Sequence, residues 1–100
     1  MQEQYLASAV PASELSLISY EPPAYPVSAE RAQIEGWVDL EFVVGRDGRP
    51  RELVAVAAEP VDRFEDAAIR AVAQYRYAPF ELDGKVFERR LRLRVRFNLE

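Results

Sequence analysis

The alternation near its C-terminal end constrains this chain more than any other feature. Leu91, Leu93, Val95, Phe97 and Leu99 take every second position, with Arg90, Arg92, Arg94 and Arg96 between them. Successive side chains of a strand point to opposite faces, so the pattern sets an apolar face against a cationic one. Wound into a helix, the same residues would scatter around the circumference. Residues 86–99 therefore read as one long strand, roughly 40 Å at ~3.3 Å per residue. Such a strand needs a cover for its apolar face and a partner for its outer edge.

Composition narrows the function classes. One hundred residues, 49% of them apolar, suffice for one core. The net charge of −4 argues against a general nucleic-acid binder, which needs an excess of cations to neutralise phosphates. There is no cysteine and no histidine. Disulfides, thiolate zinc sites and thiol nucleophiles are thus excluded, as are the usual general base and the commonest metal ligand. The carboxylates are scattered and no Gly-rich phosphate loop is present, so no catalytic residues, metal or cofactor are expected. The longest unbroken apolar run, residues 53–58, falls far short of the ~20 needed to span a bilayer. The first residues, Met1-Gln2-Glu3-Gln4, lack the pattern of a signal peptide. The chain reads either as cytosolic or as a piece of a longer secreted or anchored protein.

Residues 1–24 are rich in proline and serine and read as a linker, with a short strand at residues 15–20. Pro22 and Pro23 hold the chain extended, and Tyr25-Pro26 closes the segment. Residues 28–33 are predicted as a short helix with Ser28 as N-cap. Residues 37–44 alternate: Val38, Leu40, Phe42 and Val44 on one face, Trp37, Asp39, Glu41 and Val43 on the other. Asp47-Gly48 is a turn dipeptide, and residues 51–58 form the return strand, comparably apolar on both faces. Asp62 and Glu65 have capping-box spacing ahead of a helix whose inner face is Phe64, Ala68, Ala71, Val72 and Tyr75. Pro79 is expected to end that helix, and Asp83-Gly84 turns the chain into the last strand. The predicted fold is one α+β domain over residues 25–100. Its sheet is three-stranded and antiparallel, ordered 2-1-3, with two helices packed on one face. The last strand is its edge.

Several motifs in order resemble the TonB C-terminal domain family. They are Pro23-Ala24-Tyr25-Pro26, Ile34-Glu35-Gly36-Trp37-Val38, and Phe42-Val43-Val44-Gly45-Arg46-Asp47-Gly48. Phe64-Glu65-Asp66-Ala67-Ala68, Tyr75-Arg76-Tyr77-Ala78-Pro79 and Val95-Arg96-Phe97-Asn98-Leu99 follow. The resemblance implies a periplasmic, non-enzymatic domain of an inner-membrane-anchored energy transducer, with the anchor in a preceding region. It also implies docking of an outer-membrane transporter's N-terminal box as an added strand along the last strand.

The candidate partner-binding residues are Arg90, Leu91, Arg92, Leu93, Arg94, Val95, Arg96 and Phe97, with Pro22, Pro23, Tyr25 and Pro26 as linker contacts. Two readings of the arginine stripe stand. It is a solvated face paired with Asp39 and Glu41, each cross-strand pair worth ~0.2–1 kcal/mol, or it holds an acidic partner segment. Trp37 falls on the same face, within stacking reach of Arg94 or Arg96. The long strand outruns residues 37–44, which opens homodimerisation by edge pairing. The competing function is a structural or autoinhibitory appendage of another periplasmic protein, its edge filled by the chain's own residues 15–20, with no energy transduction.

Overall fold

The two alternating segments pair with each other and form the heart of the fold. The computed structural model describes residues 2–99. The strands are β1 (Val10–Pro11), β2 (Leu17–Ser19), β3 (Gly36–Val44), β4 (Pro50–Glu59), β5 (Arg76–Tyr77), β6 (Phe80–Leu82), β7 (Lys85–Phe87) and β8 (Arg89–Phe97). Helix α1 (Val27–Arg31) precedes β3, and helix α2 (Glu65–Ala73) follows β4. Short 3-10 turns occupy Gln2–Tyr5 and Ala12–Glu14.

β3 and β8 run antiparallel in unbroken register from Gly36↔Phe97 to Val44↔Arg89. Val38↔Val95, Leu40↔Leu93 and Phe42↔Leu91 fall on the core face, and Asp39↔Arg94 and Glu41↔Arg92 on the other. Val38, Leu40, Phe42, Val44 and Leu91 are fully buried. Against them pack Phe64, Ala68, Val72 and Tyr75, the predicted inner face of α2, together with Ala29 of α1. Phe64 stacks on Phe97 with ring centroids 4.4 Å apart.

The sheet differs from the predicted one. It has four strands in the order β1-β8-β3-β4, and β1 lies parallel to β8, so the sheet is mixed rather than three-stranded and antiparallel. The order β4-β3-β8 within it carries the hairpin and the return strand. The last strand is also shorter than residues 86–99. The strand is interrupted at Glu88: Lys85–Phe87 forms β7, which pairs with β6 across the Asp83-Gly84 turn. β8 then matches β3 residue for residue, which removes the overhang on which edge-paired homodimerisation was founded. β2 pairs with β5, not with β8, so residues 15–20 do not fill the edge.

β4 explains its own ambiguous pattern. Two register shifts against β3 flip its parity, placing Leu53, Ala55 and Ala58 toward the core and leaving Val54 and Val56 exposed. Bulges of this kind leave one residue unpaired and re-aim those after it.

The helix ends depart from prediction in detail. The N-cap of α1 is Pro26, two residues before the predicted Ser28, and its carbonyl takes the Glu30 N–H at 3.0 Å. The helix ends at Arg31 with Ala32 as C-cap, and beyond the cap the φ of 57° at Gln33 lets the Ile34 N–H reach the Ala29 carbonyl at 2.9 Å. At α2 half of the predicted capping box forms. The Glu65 carboxylate accepts the N–H groups of Asp62, Arg63 and Phe64 at 2.9, 3.0 and 3.2 Å, but no side chain caps in return. Burial pushes the Glu65 carboxyl up, and these backbone donors outweigh it and hold it below its ordinary value. α2 ends at Ala73, well before Pro79, because Arg76–Tyr77 is needed as β5.

Gly48 and Gly84 both sit at positive φ, 82° and 79°. A Cβ on Gly48 would lie 2.1 Å from the Tyr77 carbonyl oxygen, whereas one on Gly84 meets nothing within 4 Å. Gly84→Ala should therefore cost about 1 kcal/mol, the left-handed penalty alone, and Gly48→Ala at least about twice that. Urea unfolding of both variants checks the ranking.

Candidate partner-binding edge

β8 presents two edges. The inner one is satisfied by β3 along its whole length. The outer one divides. Val10 and Pro11 of β1 lie opposite Leu91 and Arg92. Beyond them, residues 93–97 meet no strand among the described residues. Beside this open stretch is an apolar cleft of about 500 Å³, walled by Leu15, Leu17, Tyr20, Tyr75, Tyr77, Leu93 and Val95. A strand added here would extend the sheet and turn alternate side chains into the cleft.

The tyrosines have a double role. Tyr75, predicted on the inner face of the helix, and Tyr77 are both buried, 4% and 3% exposed, while still lining the cleft. Burial pushes both phenols up to about 12, so their hydroxyls stay protonated. The Ala78 N–H donates to the Ser16 carbonyl at 2.9 Å, which helps to hold the outer wall against β5.

The back face of β8 carries the arginines. Arg94 donates to Asp39 through Nε at 2.7 Å and through Nη2 at 3.0 Å, and its guanidinium lies 3.8 Å above the Trp37 ring. Arg92 reaches the same carboxylate at 3.2 Å and Glu41 at 3.5 Å. Arg90 donates from Nε to the Leu6 carbonyl at 2.8 Å. Arg96 is exposed and forms no ion pair or side-chain hydrogen bond with the described residues. Asp39 is 5% exposed. The hydrogen bond from Arg94, helped by Arg92, holds its carboxyl below the usual range despite burial, and Arg94 is raised in return.

The linker contacts distribute along the domain. Tyr25 sets its ring edge-on to Phe64 and Phe97, centroids 5.6 and 5.8 Å away, and its hydroxyl donates to the Ile34 carbonyl. Pro23 lies on the β8 cleft, whereas Pro22 and Pro26 line a second one of similar size against α2. Sequence reasoning missed the contribution of Gln2, Tyr5, Leu6 and Val10. A two-residue strand has no periodicity to detect, and Gln2 acts through its side chain.

Fold and edge define a small α+β domain with an open strand edge beside an apolar cleft. Residues 21–99 match the family described as Gram-negative bacterial TonB protein C-terminal, and the chain belongs to that family. Protein TonB of Pseudomonas aeruginosa is 28% identical over 88 residues, covering 88% of this chain and 26% of that protein. Protein TonB of Escherichia coli K12 is 36% identical over 62 residues, covering 62% of this chain and 26% of that protein. The chain thus spans about a quarter of the length of these relatives. The solution NMR structure of the Pseudomonas aeruginosa TonB CTD superposes with a TM-score of 0.75 at 27% identity, covering 93% of this chain and 94% of that one. TonB C-terminal domains are periplasmic, and the family is a non-enzymatic one of energy transducers.

Asp39 gives a pH-dependent prediction. Its folded pKa lies below the unfolded value of ~3.9, so its contribution is present above about pH 4 and is lost as pH falls through the folded value. Because both arginines are about half-exposed, Asp39→Asn should cost only about 1–2 kcal/mol at pH 7. The difference from the unsubstituted chain should shrink at pH 3, as read by urea unfolding at both pH values.

Proposed function

We propose that this domain captures a short extended segment of an outer-membrane transporter by strand addition to β8. The observation that carries the reading is the unpaired outer edge at residues 93–97, set beside an apolar cleft. Backbone groups along the edge supply affinity, and the cleft takes alternate apolar side chains of the guest. The binding residues are Arg90, Leu91, Arg92, Leu93, Arg94, Val95, Arg96 and Phe97. Among the arginines, Arg96 has the greatest freedom to meet an acidic guest, since Arg92 and Arg94 engage Asp39 and Arg90 engages Leu6. In the longer protein this reading implies, a preceding segment anchors the domain to the inner membrane and the docked segment receives transmitted energy.

A second reading draws on β1. There the domain is a structural or autoinhibitory appendage, its edge occupied by its own chain, with no transduction. The observation in its favour is the pairing of Val10 and Pro11 with Leu91 and Arg92. Homodimerisation through the same edge is a third occupant of residues 93–97, and a sedimentation coefficient that rises with concentration would reveal it.

An NMR titration with synthetic eight-residue transporter-box peptides, one acidic and one neutral, separates these readings. Amide shifts concentrated on residues 93–97 are expected, with tighter binding of the acidic peptide. Arg96→Glu should weaken the acidic peptide several-fold, on the order of 1 kcal/mol, and leave the neutral one unchanged. No shifts on β8 with either peptide would overturn the docking reading.

A further inference from the structure

The N-terminal segment contacts the sheet as a ligand would. The Gln2 carboxamide makes a two-point pair with the backbone of Glu88: Nε2 donates to its carbonyl at 2.7 Å, and Oε1 accepts its N–H at 2.8 Å. This side chain supplies what a neighbouring strand residue would. The Tyr5 ring then sits 5.0 Å from both Phe80 and Phe87, with the Arg89 guanidinium 5.2 Å from its centroid. The Leu6 carbonyl takes a hydrogen bond from Arg90, and Val10 and Pro11 lie beside Leu91 and Arg92. The contacts thus fall on Glu88, Arg89, Arg90, Leu91 and Arg92 in turn, through the backbone at Glu88, through the side chains of Arg89 and Arg90, and as strand pairing at Leu91 and Arg92.

The same segment is tied to the core at one half-buried residue, Val10. None of residues 2–11 is buried, and the first buried side chain among the described residues is Ala12. Pro11 has no N–H, so the parallel pairing stops there and the chain turns away through Ala12–Glu14. Releasing residues 2–11 would uncover strand edge and an aromatic notch while leaving the β3–β8 core intact.

We propose that residues 2–11 are a detachable, built-in ligand of the first half of the β8 outer edge. An extended partner that reaches past Leu93 toward Glu88 then binds by competing with them, a consequence that rests on the docking reading above. The partner fitting this half-site carries a carboxamide for the Glu88 backbone and an aromatic ring for the notch of Phe80, Phe87 and Arg89. A strap docked for most of the time lowers the apparent affinity of such a guest by the fraction of edge left free.

The test compares the full chain with its Gln2→Ala/Tyr5→Ala variant, in which neither replaced residue is buried or belongs to the main core cluster. Two probes are used: a synthetic peptide copying residues 2–11, and the eight-residue transporter-box peptides. In the variant, the Glu88 amide should exchange at least about tenfold faster, with core amides such as Leu40 unchanged. The copied peptide should shift residues 88–92 of the variant and bind it about tenfold more tightly than the unsubstituted chain. Unchanged Glu88 exchange, or equal affinity of the copied peptide for both proteins, overturns the built-in ligand. Box peptides that bind both proteins equally at residues 93–97 overturn the competition alone. Box peptides that fail on both proteins sink the docking reading, while the copied peptide still reports on the strap.

Discussion

Everything at the binding edge depends on the antiparallel pairing of β3 with β8. Its register places two sets of side chains at once. Leu91, Leu93, Val95 and Phe97 meet Phe42, Leu40, Val38 and Gly36 on the face that α2 covers. On the other face Asp39 falls beside Arg94, and the buried carboxylate is held by two guanidinium groups instead of being stranded. A one-residue slip would turn the apolar set to solvent and the arginines into the core, so the register has no close competitor. Asp39 in particular makes a slip costly, since a buried carboxylate without its partners loses its solvation and gains nothing.

With β8 fixed on one side, what happens on its other side decides function. The chain treats the two halves of that edge differently. The first half is shielded by a segment none of whose described residues is buried, tied down by Val10 against the core and by Tyr5 against Phe80 and Phe87. The second half is bare and faces a cleft built from residues that also close the core, Tyr75 and Tyr77. Their position comes from the early end of α2: stopping the helix at Ala73 frees Arg76–Tyr77 to pair with β2, which raises the outer wall of the cleft. The opposite edge of the sheet is guarded by other means. β4 carries two register shifts and a positive φ at Glu52, which break its regularity as a template for further strands.

Much of this was legible in the sequence where one physical signal dominated. Period-two alternation located β3 and β8, and the 3.6-residue spacing from Phe64 to Tyr75 gave the buried face of α2. The Asp83-Gly84 dipeptide marked a tight turn, and both residues do take positive φ there. Non-local causes hid the rest. The clean alternation starts only at Leu91, and the charged run Glu88-Arg89-Arg90 before it does not say where the strand breaks; the break at Glu88 accompanies the pairing of β7 with β6. The two faces of β4 looked equivalent because bulges change its parity midway. β1 is two residues long, too short for any periodicity. The arginine stripe was ambiguous in principle, since the same pattern serves a cross-strand ion-pair network and an acidic guest. Arg92 and Arg94 are engaged by Asp39, and Arg96 is left facing solvent.

The central claim is that a guest segment becomes the neighbouring strand of β8. The most direct measurement is a set of intermolecular NOEs between the isotope-labelled domain and an unlabelled transporter-box peptide. A docked strand predicts a ladder of cross-strand backbone contacts from the peptide to Leu93, Arg94, Val95, Arg96 and Phe97, with its alternate side chains near Tyr75 and Tyr77. Contacts confined to α2 or to the β4 edge, with none to the β8 backbone, would contradict it.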